Sequence, residues 1–212
     1  SPSCPSNLRS VWAEPGGEAE LGGGNEGAGR IAAQSASSTS CSNVRSVNEP
    51  PVAMVGFPSD AGYQYLAVLE DGRLLRWTRG QAPTVSPSNL DSSDEVADLH
   101  GVSPDRLFAV GSVLVGGNNR RPMSWALQAD GGWTEEPLTG QGNPNGRMRG
   151  VWMLSAVEGV AVGDDGRVFR RTTSGWRALI SETSSDLTSV RAFSFGRFYL
   201  TTADGEVRRR AT

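Results

Sequence analysis

Five residues able to stack, donate or accept close five related phrases of this chain. Trp12 closes Leu8-Arg-Ser-Val-Trp12, Asn48 closes Val44-Arg-Ser-Val-Asn48, His100 closes Val96-Ala-Asp-Leu-His100, Trp152 closes Met148-Arg-Gly-Val-Trp152 and Arg191 closes Leu187-Thr-Ser-Val-Arg191. The residues before them, Val11, Val47, Leu99, Val151 and Val190, are uniformly aliphatic. Packing between repeated units requires that uniformity. A varied polar and aromatic set is not needed for packing, so it is where recognition would be placed. Indole and guanidinium faces stack on a sugar ring or an aromatic side chain, with hydrogen bonds from Asn48 and His100 to orient it. The second positions add Arg9, Arg45 and Arg149, which either pair with local carboxylates or together hold an anionic group. The plainer reading of Trp12 and Trp152 is packing between units. Trp152 is expected to be the packed member, with His100 and Arg191 exposed.

Catalysis would need more. A glycosidase uses two carboxylates roughly 5 to 9.5 Å apart, and the phrases offer Asp98 with flanking Glu14, Glu49 and Asp186, none in a recognisable pair. All 20 basic residues are arginine, so a Schiff-base or phosphate-loop lysine is excluded. A single histidine cannot build a histidine-rich metal centre, and there is no Gly-x-Ser-x-Gly elbow. The expectation is no catalytic residue, no cofactor and no metal, with a glycoside-processing enzyme as an alternative. The Asp-Gly turns at Asp71, Asp165 and Asp204 read as tight hairpins, not calcium sites. A net charge of −3 offers no long-range attraction to nucleic acid. No apolar stretch approaches the ~18 residues of a membrane span.

What must position these residues is a repeat. The phrases begin at residues 8, 44, 96, 148 and 187, and most continue into an apolar run such as Leu107-Phe-Ala-Val-Gly111 or Val160-Ala-Val-Gly163 and then an Asp-Gly turn. Repeats of this size with several short strands each cannot bury their faces alone and stack as propellers or arrays. The predicted fold is all-β, a single five-bladed β-propeller over residues 1–212 with about four antiparallel strands per blade. Its blades are placed at 7–42 (degenerate), 43–94, 95–146, 147–185 and 186–212, the last completed by residues 1–6. Trp133 and Trp176 are expected on outer strands. The segments Glu49–Gly62 and Ser112–Pro122 read as insertions suited to docking.

The phrase Leu-x-Gly/Ser-Val-Trp, then Ala-Val-Gly, then Asp-Gly-Arg-Val-Phe-Arg, then Gly-Trp resembles the repeats of secreted bacterial propellers of the photosystem II stability-factor-like and BNR families. It bears a looser likeness to tachylectin-like five-bladed lectins. The likeness covers most of residues 43–212; the sialidase Asp-box is absent, and Ala129-Asp-Gly-Gly-Trp133 is only a distant echo of it. Cys4 and Cys41 flank the first repeat. In a reducing compartment they would be two separate thiols; in an exported protein their even count favours one disulfide. The reading is a non-enzymatic binding module, exported to the envelope or beyond the cell. It would recognise a protein or glycan of the cell surface, or act as an assembly scaffold.

Overall fold

A computed structural model describes residues 4–211 apart from 26, 27, 39, 70, 141–144, 182 and 195. Two compact units result, Ser1–Asn89 and Leu90–Thr212. In the first, strands β1 (Leu8–Ala13), β2 (Glu18–Asn25), β3 (Ala28–Ser35) and β4 (Ser42–Val47) pair in chain order. So do β5 (Pro51–Ser59), β6 (Gly62–Leu69), β7 (Leu74–Thr78) and β8 (Thr84–Ser86). In the second, β9 (Asp94–Ser103), β10 (Arg106–Gly116), β11 (Asn119–Leu127) and β12 (Trp133–Glu136) form one sheet. The next contains β13 (Leu138–Thr139), β14 (Met148–Met153), β15 (Gly159–Gly163), β16 (Val168–Thr172) and β17 (Gly175–Leu179), with β13 added in parallel to β17. The last has β18 (Leu187–Ser194), β19 (Arg197–Thr202) and β20 (Val207–Ala211). There is no α-helix among the described residues.

Alternation along each strand sends side chains to both faces, and both are used. Phe108, Val110 and Ala126 of the β9–β12 sheet pack on Met148, Val151 and Met153 of the next. Val160, Val162 and Val168 pack in turn on Leu187, Val190 and Ala192. In the first unit Ile31 and Trp12 pack on Met54, Tyr65 and Trp77. Trp133 and Trp176 are buried on outer strands, as the repeat predicts.

Each sheet's first strand carries a bulge at the same point. The register against the second strand shifts between Leu8 and Ser10, Pro51 and Ala53, Val96 and Asp98, Met148 and Gly150, and Leu187 and Ser189. A bulge puts two residues opposite one and swings the backbone towards its partner. The glycines of the Ala-Val-Gly runs make room for it. A Cβ on Gly111 would meet the carbonyl oxygen of Glu95, and one on Gly163 that of Arg147.

Several expectations are corrected. Val44–Asn48 does not open a second repeat: β4 is the outer strand of the first sheet, paired with β3 through Gly29↔Val47 and Ile31↔Arg45. The second sheet starts with Pro51. Glu49–Gly62 is thus largely its first strand and Ser112–Pro122 the extended end of the β10–β11 hairpin, neither being a free insertion. The last sheet has three strands among the described residues. The expected Cys4–Cys41 bond is present, and the pair packs on Leu21 and Ala32 of the first sheet. Residues 1–3 of the expected closing strand lie outside the described residues.

Candidate functional site

The bulges align the first strands without ambiguity, and the fifth position holds Trp12, Val55, His100, Trp152 and Arg191. Four members of the predicted set are therefore equivalent. Asn48 is not; it is exposed just beyond β4, and buried Val55 takes its place.

Within the second unit three of these residues form one stack. The His100 and Trp152 rings lie 4.0 Å apart between centroids, and the Arg191 guanidinium sits 4.9 Å from the centre of the Trp152 ring. Arg191 also reaches Phe193, at 6.0 Å, and Arg197 approaches the same ring at 5.6 Å. Tyr199 meets Phe193 edge-on at 6.0 Å. Phe193 is 56% exposed, and neither Arg191 nor Arg197 forms an ion pair among the described residues. The result is an open surface of aromatic faces and two guanidinium groups that form no ion pair among the described residues.

At its inner end the stack is anchored by hydrogen bonds. His100 is half-buried, not exposed, and its Nδ1 accepts the Met153 N–H at 3.0 Å. The ring proton therefore resides on Nε2, and burial followed by the Arg191 charge lowers its pKa to about 4. Two residues earlier Asp98 Oδ2 accepts the Val151 N–H at 2.9 Å and Oδ1 that of Leu99 at 2.9 Å. Burial nevertheless raises the Asp98 carboxyl to about 6. These two side chains satisfy the outward N–H groups of β14, which would otherwise be an unpaired inner edge.

Trp12 is half-buried and pressed on Gly56, where a Cβ would collide with its indole ring. The second-position arginines do not assemble into an anion cradle. Arg149 Nε binds Asp164 at 2.5 Å and its Nη2 approaches Asp186 at 3.3 Å, a local pairing. Arg45, on the outer strand, donates to the carbonyls of Val44 and Gly80 at 3.2 and 3.3 Å. Arg9 is exposed on β1.

The expected carboxylates are also engaged: Glu14 accepts from Tyr65 and pairs with Arg79 at 2.8 Å, and Asp186 is held by Arg149. Arg79 further binds Glu18 and, at 3.1 Å, Glu20. Glu20 stands on β2 opposite Trp12 and is buried where the other unit has Phe108 or Val160. Burial, reinforced by neighbouring Glu14, raises its pKa to about 7. No sequence motif marks this cluster, since Arg79 lies 59 residues from Glu20. Among the described residues no group of three or more acidic, histidine or cysteine side chains is placed to hold a metal ion.

No known protein family matches the chain by sequence profile, and no curated protein matches it by sequence. Solved structures do match, by fold. All 212 residues align with YCF48 bound to D1 peptide at 19% identity and a TM-score of 0.64, covering 66% of that chain. YCF48 from Cyanidioschyzon merolae aligns at 15% identity and 0.63, again over 100% of this chain and over 69% of that one. Virginiamycin B lyase from Staphylococcus aureus aligns at 10% and 0.61, over 97% of this chain and 70% of that one. These matches and the successive antiparallel sheets support a β-propeller-like fold. At these identities the likeness shows fold alone, and the matches include both a peptide-bound YCF48 and a lyase. The chain spans about two thirds of the length of these structures.

Proposed function

We propose that this chain is a propeller-type binding module of an exported protein and that it holds a protein partner at the Trp152–Arg191–Phe193 surface. The observation that carries this reading is the exposed stack itself. Aromatic faces and guanidinium groups are among the side chains that contribute most at protein interfaces, and here they stand exposed together with no ion pair among the described residues. The Cys4–Cys41 disulfide supports an oxidising compartment; among the described residues no helix is long and apolar enough to cross a membrane. A structural neighbour carries a bound peptide, which supports a protein partner over a glycan. Engagement of Glu14, Asp98 and Asp186 in internal contacts supports binding over glycoside chemistry.

Peptide and glycan arrays probed side by side with the wild-type chain and with Arg191→Ala/Phe193→Ala test the reading. Peptides retained by the wild type and lost by the variant at unchanged melting temperature are expected. Retention of glycans alone, or peptide retention indifferent to the two substitutions, overturns it.

A further inference from the structure

Between the β9–β12 and β13–β17 sheets, at the end where the β9–β10, β11–β12 and β14–β15 turns lie, the second unit encloses a cavity of about 710 Å³. Every lining residue belongs to that unit, and none is part of the Trp152–Arg191–Phe193 stack. Asp105, Arg106 and Gln128 stand exposed at its rim, and Val157, 41% exposed, forms its lip.

Its inner wall is an ion pair fixed on every side. Arg171 Nε and Nη2 donate to the two carboxylate oxygens of Glu136 at 2.8 and 2.6 Å, Nη1 donates to the Ala156 carbonyl at 3.1 Å, and the guanidinium lies 4.3 Å from the centre of the Phe108 ring. Fork-to-fork pairing and stacking hold both groups in place before any ligand arrives. The pair neutralises itself, so it calls for neither an anion nor a cation. It still presents guanidinium N–H groups and carboxylate lone pairs that no partner among the described residues takes up. Its cross-strand neighbours are short of partners as well. Ser124 lies opposite Glu136 and Trp176 opposite Arg171; both are fully buried, yet neither the Ser124 hydroxyl nor the Trp176 indole N–H has a hydrogen-bond partner among the described residues. Polar capacity in excess of the protein's own partners is what a site for a ligand's polar groups leaves behind.

The charges around the cavity cancel, Asp105 and Glu136 against Arg106 and Arg171. Donors and acceptors are therefore interleaved without a net field. A hydroxyl both donates and accepts, so a polyhydroxylated ring can satisfy whichever group it lies against, whereas a charged ligand would meet a like charge beside each opposite one. The volume is that of an ordinary small-ligand site. We infer that this cavity binds a neutral saccharide, with the Arg171–Glu136 pair engaging neighbouring hydroxyls and Gln128 a further one at the rim. The site is separate from the proposed partner surface and stands whether or not that surface holds a protein.

An array of neutral and acidic glycans probed with the disulfide-bonded chain, followed by titration calorimetry with the best-retained neutral glycan as free oligosaccharide, tests this. Neutral glycans should be retained in preference to acidic ones. Val157→Trp fills the lip without touching the ion pair and should abolish binding, and Gln128→Ala should weaken it about tenfold. Both positions are exposed, and circular dichroism checks that both variants fold. Glu136→Gln leaves Arg171 uncompensated and should move the preference towards acidic glycans. Arg191→Ala/Phe193→Ala should bind the glycan as the wild type does. A wild type that retains no glycan, or retains acidic ones preferentially, overturns the inference. So does an affinity unchanged in Val157→Trp, or one lost in Arg191→Ala/Phe193→Ala, which would put the glycan on the other surface.

Discussion

The backbone N–H of Met153 donates to Nδ1 of His100 at 3.0 Å, while the His100 ring lies against Trp152. One side chain thereby closes the edge of a neighbouring strand and braces the aromatic stack that leads outward to Arg191. Truncating it would leave a donor unpaired, a cost of about 1–3 kcal/mol.

His100 and its neighbour Asp98 should make opposite contributions to the pH dependence of stability. The folded histidine refuses a proton down to about pH 4, whereas a free one accepts it near 6.5. Its contribution is complete above 6.5 and drains away as pH falls. The folded Asp98 keeps its proton up to about 6 against an ordinary 3.8, so its contribution is complete below 3.8 and lost as pH rises. Relative to wild type, the unfolding free energy of Asp98→Asn should therefore climb between pH 4 and 6, and that of His100→Gln should decline. Urea titrations at several pH values check this, and parallel curves for all three proteins would contradict it.

Gly163→Ala should destabilise by roughly 1–3 kcal/mol, because the added methyl must displace the Arg147 carbonyl at the bulge. Gly131→Ala serves as a contrast. Its site is open but its φ is 88°, so its cost comes from backbone strain alone, about 1–2 kcal/mol. Denaturation midpoints of Gly163→Ala, Gly111→Ala and Gly131→Ala should place the first two together as the more costly pair.

Reduction of the Cys4–Cys41 bond should lower stability by about 4 kcal/mol in the chain-entropy account of a loop spanning 37 residues. Alkylation with and without reductant, read by mass, establishes the bond. Calorimetry of the two forms measures its effect, and identical melting curves would show that the segment is held by packing alone.

Arg79→Met should cost about 3 kcal/mol. It leaves Glu14, Glu18 and Glu20 without their shared cation, and Glu20 is buried. Adding Glu20→Gln to that variant should recover part of the loss, because the buried side chain then carries no charge for the arginine to neutralise. Absence of any recovery would show that Glu20 is not the group that needs the arginine.

Local pattern was enough to find most of the architecture. An aliphatic residue followed by Trp, His or Arg marks β1, β9, β14 and β18, because a first strand packs on both faces and repeats the same contacts in each sheet. It misled at one repeat. Val44-Arg-Ser-Val-Asn48 matches Leu8-Arg-Ser-Val-Trp12 almost letter for letter, yet Val44-Arg-Ser-Val47 forms part of the outer strand β4, whereas Pro51-Val-Ala-Met-Val55 carries no signature and is the first strand. Inner and outer strands of a half-buried sheet have the same two-residue period, so only the pairing partner distinguishes them. The contacts that hold the polar side chains in place are likewise long-range. His100 meets Met153 across 53 residues and Arg79 meets Glu20 across 59, and both are set by how one sheet's register lies against the next. The residue types that could stack or bind were written in the chain. Which of them share a surface, which are consumed in holding strand edges together, and which faces are left bare were decided only by the packing of the sheets.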